Sequence, residues 1–228
     1  MLRRCLAALS LTLFAVAPLA AQAKKGHMEK KGHMDMDKKV EGGALPGGWM
    51  GRTDDRTKKI EDAKFVTMGT GYHVTSGPAA IYWSSKDKVS GPFTASVTMT
   101  QTKNPSHPEA YGIFFSGKKL EAPDQTYFYF LVRGDGKFLL NHRAGPQVHK
   151  IVDWTDNAAV KKADAKGAAT NTLMVDASKA DSVRLKVNGV QVAALPASAG
   201  NPDGVVGLRV NHNLDVHISD FMVTPTKK

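Results

Sequence analysis

The chain has 228 residues, a formal net charge of +10 at pH 7 and a single cysteine, Cys5. One cysteine near the N-terminus excludes a disulfide framework and a cysteine metal centre in the rest of the chain. The lysines are spread along the sequence and no nucleic-acid-binding motif accompanies them, so we expect a solvated basic surface and no nucleic-acid partner.

The N-terminus has the pattern of a secretory signal peptide. Arg3 and Arg4 form a basic region, residues 6–20 are apolar, and Ala21-Gln-Ala23 is a small-x-small cleavage site. The alternative is a retained membrane anchor, but the apolar run is short for a span and contains Pro18. We therefore predict a signal peptide at residues 1–23, a secreted or periplasmic product, and no transmembrane segment after cleavage.

Residues 24–48 form a polar, Lys- and Gly-rich linker with an internal repeat. Lys-Lys-Gly-His-Met occurs twice, ending at Met28 and at Met34. Such a segment buries too little apolar surface to fold alone, so we predict a disordered spacer. Imidazole and thioether groups suit late transition metals, so a weak divalent metal site is the alternative. Its ligands would be His27, Met28, His33 and Met34.

From residue 49 to 224 the sequence predicts a single all-β domain, an antiparallel two-sheet jelly-roll sandwich. Residues 125–133 and 137–143 are apolar and aromatic runs that flank a Gly-Asp-Gly turn, which indicates a hairpin. Residues 183–192 contain an Asn-Gly turn between two β-branched runs and predict a second hairpin. The loop at 155–169 has room for one short helix. The predicted strands are 63–68, 71–75, 79–84, 92–101, 110–116, 126–133, 137–143, 147–153, 171–176, 182–188, 190–195, 204–211 and 214–223.

Side chains alternate between the two faces of a strand, so the sequence also predicts which residues point inward. At 93–100 the apolar residues occupy one face and Thr and Ser the other. At 127–133 the inward Phe128, Phe130 and Val132 oppose a face of Tyr, Leu and Arg side chains. We expect that polar, aromatic face to carry His142 as well.

The segment at 207–218 adds further polar candidates. Leu208, Val210, Val216 and Ile218 are predicted to point inward, which directs Arg209, Asn211, Asp215 and His217 the other way. Planar Arg, Asn and His donors pair well with sugar hydroxyls, and His217 beside Asp215 could also hold a divalent metal. The simpler alternative for this segment is a solvated outer face, and for a second polar group at Asn141, His142 and Arg143 it is cross-strand pairing on an exposed sheet.

Several of these segments together resemble the concanavalin A-like lectin/glucanase superfamily. Within it, they resemble the secreted 3-keto-disaccharide hydrolase (DUF1080) or family-16-like domains. The segments that carry the resemblance, which covers about 49–224, are 91–97, 111–115, 127–138, 171–175, 183–189, 204–208 and 220–223. The resemblance implies a jelly roll with carbohydrate as the usual ligand. It gives little support to glucanase catalysis, because Glu61, Glu109 and Glu121 have no carboxylate partner at strand spacing.

The leading hypothesis is an exported protein that binds a glycan or a related polyhydroxylated ligand. Two alternatives stay open: a hydrolase or lyase acting on 3-keto-glycosides, and a metal-handling envelope protein that uses the His/Met tail. The predicted ligand-binding residues share one polar sheet face and are Tyr129, Arg133, His142, Arg209, Asn211 and His217.

Overall fold

The computed structural model describes residues 36–199 and 201–226. In this part of the chain the main elements are β-strands, with two short 3-10 helices at Ile60–Asp62 and Ala197–Ala199. No helix in these ranges has the length and apolar character needed to cross a membrane. The strands are β1 Trp49–Thr53, β2 Ala63–Met68, β3 Gly71–Ser76, β4 Ala80–Val89, β5 Phe93–Gln101, β6 Ala110–Lys118, β7 Thr126–Arg133, β8 Lys137–Ala144, β9 Gln147–Asp156, β10 Ala169–Lys179, β11 Ser182–Val187, β12 Val190–Pro196, β13 Gly204–Val210 and β14 Asp215–Pro225.

The strands form two seven-stranded antiparallel sheets. The front sheet has the order β1-β4-β13-β6-β7-β8-β9, and the back sheet has the order β12-β11-β10-β5-β14-β3-β2. Half of the neighbouring pairs join strands that are distant in sequence, as in a jelly roll. The predicted all-β sandwich is confirmed.

Local turn chemistry explains the two predicted hairpins. Gly136, between β7 and β8, has a φ of 90°, and Asn188 and Gly189, between β11 and β12, have φ values of 50° and 84°. Two successive positive φ angles are those of a type I′ turn, which matches the twist of the strands on either side. Both hairpins are present at the predicted positions.

Two local expectations differ from the structure. β1 was not predicted, because Trp-Met-Gly-Arg-Thr does not alternate between apolar and polar residues. Residues 157–168 form turns instead of a helix. Asp164 Oδ1 accepts hydrogen bonds from the backbone N–H groups of Lys166 and Ala168, so this side chain stabilises a turn rather than a helix.

The main core lies between the two sheets. On β5, Phe93, Ala95, Val97 and Met99 are all buried, while the alternating Thr and Ser side chains are half-buried on the opposite face, as predicted. The front sheet contributes large side chains to the same core, among them Tyr82, Tyr111, Phe115 and Phe130. Burying each large apolar side chain stabilises the fold by about 1.5–3 kcal/mol, so this core can hold the domain together without disulfides.

Residues 36–48, assigned to the linker by sequence, lie against one end of the sandwich. The Lys38 backbone N–H donates to Asn213 Oδ1 at 2.6 Å, and Lys38 Nζ donates to Asp215 Oδ2 at 2.8 Å. Gly42 N–H donates to the Glu61 carbonyl at 3.0 Å. These contacts tie the segment that precedes β1 to three places: β14, the loop that leads into β14, and the first 3-10 helix.

The front sheet curves strongly around the face that points away from the core. β1 and β8 are separated by five strand spacings, or about 24 Å in a flat sheet. Yet Arg143 of β8 approaches Asp54, the second residue after Arg52 of β1, to 3.9 Å. Two side chains cannot bridge the flat distance, so the sheet must bend to bring its two ends together. We call the enclosed side of the front sheet the concave face.

Candidate functional site

The concave face carries a second apolar layer, which surrounds a cluster of polar side chains. Trp83, Phe114, Leu131 and Leu139 pack together there, separately from the main core. Among them lies a polar group that we call the Asp54 cluster. Its members are Asp54, Tyr127, Tyr129, Asn141, Arg143 and Arg209.

The centre of the Asp54 cluster is a two-pronged ion pair. Arg209 Nη1 donates to Asp54 Oδ1 at 2.9 Å, and Arg209 Nη2 donates to Asp54 Oδ2 at 2.5 Å. Arg209 Nη1 also donates to the Tyr127 hydroxyl at 3.2 Å. Arg209 is only 6 % exposed, and paired donors from a guanidinium to a carboxylate are among the strongest hydrogen bonds in proteins. The pair ties the residue that follows β1 to β13, two strands away in the front sheet.

Aromatic rings surround this ion pair. The Arg209 guanidinium carbon lies 4.8 Å from the centre of the Tyr129 ring, within cation–π range. The Tyr129 hydroxyl accepts a hydrogen bond from Asn141 Nδ2 at 3.0 Å. Within the described residues, Arg209 Nε and Asn141 Oδ1 are buried without a hydrogen-bond partner. Buried polar atoms of this kind normally bind water or a ligand.

Asp54 and Arg209 each keep the other in its charged form. Burial raises the pKa of the Asp54 carboxyl, but the Arg209, Arg143 and Arg52 guanidinium groups more than offset this, and its pKa lies below the usual value. Burial opposes the charged form of Arg209, but Asp54 stabilises it, so the pKa of Arg209 is raised. Burial also raises the pKa of the Tyr127 hydroxyl, which therefore stays protonated and available as a donor.

The loop that joins β6 to β7 covers one end of the concave face. Arg52 Nη1 donates to the carbonyl groups of Leu120 and Ala122 at 3.0 and 3.2 Å, which holds this loop against β1. A surface hollow of about 280 Å³ lies beside it and is lined by Arg52, Arg56, Lys58 and Glu121 among others. A second hollow of about 390 Å³ is lined by Met50, Trp83, Leu120 and Val205 with neighbouring residues. Arg52 and Thr53, which directly precede Asp54 in the chain, both line the first hollow.

Three of the predicted binding residues lie on the concave face, although at different places. Tyr129 and Arg209 belong to the Asp54 cluster. Arg133, at the other end of β7, forms an ion pair with Asp135 and lies 4.3 Å from the Trp154 ring centre. The expectation of an open, solvated surface was wrong for the cluster itself: Tyr127, Tyr129 and Arg209 are 1 %, 6 % and 6 % exposed. The curvature of the sheet buries them.

Asn211 lies just beyond β13, outside the Asp54 cluster. Its Nδ2 donates to Glu109 Oε2 at 3.2 Å. The neighbouring His212 lies between two carboxylates, with Nε2 2.7 Å from Glu109 Oε1 and Nδ1 3.2 Å from Asp37 Oδ1. This group is a polar contact between loops, and Asp37 belongs to the segment that precedes the sandwich.

The expectation that His142 shares this face was wrong. The β7–β8 register pairs His142 with Phe128, one residue out of step with the Tyr129–Asn141 pair, so it faces the opposite side of the sheet. There its Nε2 lies 2.8 Å from Thr126 Oγ1, and its ring is stacked with that of His149. Burial, followed by the charge of His149, lowers the pKa of His142.

The expectation that His217 shares the concave face was also wrong, because His217 belongs to the back sheet. Arg209 is on β13 of the front sheet, whereas His217 is on β14 of the back sheet, directly opposite His73. Asp215, its proposed metal partner, instead binds Lys38 and Lys103. Among the described residues, no group of three or more His, Cys, Asp or Glu side chains could hold a metal. The predicted tail ligands His27, Met28, His33 and Met34 lie outside the described residues.

Sequence analysis missed Asp54 and Arg52 as site residues. Both depend on β1, which the hydrophobic pattern did not predict, and on curvature that brings distant strands together. The run Arg52-Thr-Asp-Asp-Arg56 beside a predicted aromatic sheet was the available signal. No local pattern showed that Asp54 would meet Arg209, 155 residues later in the chain.

Comparisons with known proteins identify the fold and no family. No family model matches the chain, and no curated protein matches it. A carbohydrate-binding module, CBM66 from Bacillus subtilis, matches 78 % of this chain and 95 % of its own, with a TM-score of 0.57 and 14 % identity. A GH16 protein from a Bacteroides ovatus mixed-linkage glucan locus, solved with a G4G4G3G product, matches 77 % of this chain and 94 % of its own. Its TM-score is 0.54 at 8 % identity. The concanavalin A-like sandwich is therefore confirmed.

Proposed function

We propose that this protein is an exported glycan-binding β-sandwich and that its site is the concave face around the Asp54 cluster. The observation that carries the proposal is the cluster itself. It sets planar polar side chains among aromatic rings, with Arg209 held by Asp54 and Tyr127 and lying against Tyr129.

The chemistry of this face suits sugars. Hydroxyl groups of a sugar both donate and accept, so the Asp54 carboxylate can accept from them and the Arg143 guanidinium can donate to them. Asp54 and Arg143 have side chains 26 % and 15 % exposed, so they are the members a ligand can reach. The buried members hold them in place, which reduces the conformational entropy lost on binding.

The similarity to solved structures supports the same proposal at the level of fold. One such structure is a carbohydrate-binding module, and the other was solved with an oligosaccharide product. Proteins that share a fold often differ in function, so the proposal depends on the Asp54 cluster.

Glycoside hydrolysis is a weaker alternative. It requires two carboxyl groups about 5–10 Å apart, one of which must release or accept a proton. Both oxygens of Asp54 are bound by Arg209, and the lowered pKa of Asp54 keeps it ionised. Turnover of a 3-keto-disaccharide by the wild-type protein would restore the hydrolase hypothesis.

Export and metal handling remain predictions that depend on residues 1–34. A secretory leader at 1–23 would release the domain into the periplasm or outside the cell. Copper calorimetry on the full-length and tail-deleted proteins would separate metal handling from glycan binding. A heat of binding that disappears with the tail would show that residues 24–34 hold the metal.

Affinity electrophoresis on a panel of polysaccharides, neutral and acidic, tests the proposed function. We expect retardation by at least one of them, reduced about tenfold in affinity by Arg143→Gln because a charge-assisted hydrogen bond is lost. Lys64→Gln, an exposed position on β2 of the back sheet, is the control and should bind like the wild type. No retardation by any polysaccharide would overturn the proposal.

A further inference from the structure

The concave face carries more positive than negative charge. Arg52, Arg143 and Arg209 all extend over it, and Asp54 is the carboxylate of the Asp54 cluster. Arg209 occupies both oxygens of that carboxylate. Arg143 Nη1 reaches Asp54 only at 3.9 Å, which is too long for a hydrogen bond. Among the described residues, the guanidinium groups of Arg52 and Arg143 therefore have no carboxylate within hydrogen-bond distance.

Backbone carbonyl groups hold these two arginines without neutralising them. Arg52 donates to the carbonyls of Leu120 and Ala122, and Arg143 Nε donates to the Gly145 carbonyl at 2.7 Å. Both side chains are half-buried. A partly desolvated charge is unfavourable until an opposite charge meets it. The arginines are thus fixed in orientation while their charge stays available to a ligand.

The adjoining hollow extends the positive region. Arg56 and Lys58 line it together with Arg52, and Glu121 is its carboxylate. Lys58 lies 3.9 Å from Asp37, so its charge is partly compensated. The charges repel one another: burial and then the charge of Arg56 lower the pKa of Arg52, and Arg143 adds to the effect. An anionic group in this hollow would relieve that repulsion.

We infer that the ligand is an acidic glycan whose carboxylate or sulfate group binds between Arg52, Arg56 and Arg143. This inference rests on the proposed function and names the class of sugar that the same site selects. Guanidinium groups offer paired N–H donors whose geometry fits the two oxygens of a carboxylate or sulfate. The sugar ring would then lie along the margin of the concave face.

Calorimetry with matched oligosaccharides tests the inference. The carboxylate probes are tetramers of galacturonate, glucuronate, mannuronate and guluronate, each compared with its methyl ester, which keeps the ring and removes the charge. A sulfated, carboxylate-free tetrasaccharide and its desulfated form test the other anion. We expect at least one acidic probe to bind about tenfold or more tightly than its neutral counterpart. The preference should weaken as salt is raised.

Variants locate the anion. Arg52→Gln and Arg143→Gln should each abolish most of the acidic preference, and Arg56→Gln, an exposed position, should reduce it without disturbing the packing. Lys166→Gln removes one charge from the loop before β10 and should leave the preference unchanged. Loss of preference in Lys166→Gln as large as in Arg56→Gln would show attraction to net charge only and overturn the inference.

The two proposals fail differently. Equal binding of acidic and neutral probes at the Asp54 cluster would overturn the acidic preference and keep glycan binding. An absence of binding to every probe and to every polysaccharide of the panel would overturn both. If Arg52→Gln does not fold, as shown by its thermal transition, Arg56→Gln decides the outcome.

Discussion

At the scale of single residues, Asp54 and Arg209 depend on each other unequally. Arg209 is buried, whereas the Asp54 side chain is 26 % exposed. Removing the carboxylate strands a buried positive charge, and removing the guanidinium leaves a carboxylate that water can reach. The structural role of the pair should therefore show as an asymmetry in stability.

We predict that Asp54→Ala lowers the free energy of unfolding by about 3–5 kcal/mol, the usual cost of an uncompensated buried charge. Arg209→Met, which retains much of the packing, should cost clearly less. Urea unfolding of both variants and of the double variant measures the difference. The control is Glu41→Ala, an exposed position, expected within about 0.5 kcal/mol of the wild type. Equal costs for Asp54→Ala and Arg209→Met would contradict this account of the pair.

Asp215 makes the fold sensitive to acid. Burial raises its pKa, but hydrogen bonds from Lys103, Lys38 and Thr75 outweigh burial and lower the pKa to about 2. The folded state then binds protons less readily than the unfolded state. Asp215 therefore adds about 2 kcal/mol to the free energy of unfolding above pH 4, and this contribution is lost as the pH falls toward 2.

We predict that Asp215→Asn is less stable than the wild type at pH 7 and that the difference closes between pH 4 and pH 2. Urea unfolding at a series of pH values measures this. The variant should retain some acid sensitivity, because hydrogen bonds from Ser178 and Lys186 outweigh burial and also lower the pKa of Asp176 to about 2. A gap between the two proteins that stays constant down to pH 2 would show that Asp215 is not the responsible group.

At the scale of elements, close packing between β13 and β6 supports the concave face. The Phe114 ring lies over Gly207, where an added Cβ would meet its Cε1 at 2.5 Å and would also crowd the Tyr82 carbonyl oxygen. Glycine at this point lets an aromatic ring cross the strand beside Arg209.

We therefore predict that Gly207→Ala destabilises the protein by about 1–3 kcal/mol through overpacking. Gly43→Ala is the matched control, because a Cβ there meets nothing within 4 Å. Thermal unfolding of both variants provides the comparison. A Gly207→Ala protein as stable as Gly43→Ala would mean that both the Phe114 ring and the β4 backbone at Tyr82 move aside freely.

The elements themselves were largely predictable from sequence. Period-two alternation identified β5 and β7, and the Asn188-Gly189 turn identified the β11–β12 hairpin. These signals are local, because side-chain alternation and positive φ values depend on neighbouring residues. β1 has no such pattern and was not predicted. Without β1, the position of Asp54, which follows it, could not be predicted either.

At the scale of the whole molecule, the candidate site was only partly predictable. Alternation correctly directed Tyr129 and Arg209 away from the core. It could not assign a strand to a sheet, so His217 was grouped with Arg209 although the two belong to different sheets. The prediction for His142 was wrong because of strand register: a shift of one residue moves a side chain to the opposite face of the sheet. Curvature, which brings Asp54 to Arg143, is a property of the assembled sheet.

The most direct test of the central claim is an amide NMR titration with an oligosaccharide that the polysaccharide panel selects. If the concave face of the front sheet binds glycans, saturable shifts will appear around Arg52–Arg56 and in the 119–126 and 141–145 segments. The outer face of the back sheet, around His73 and His217, will stay unchanged. Shifts confined to that back face, with none near Asp54 or Arg143, would contradict the account.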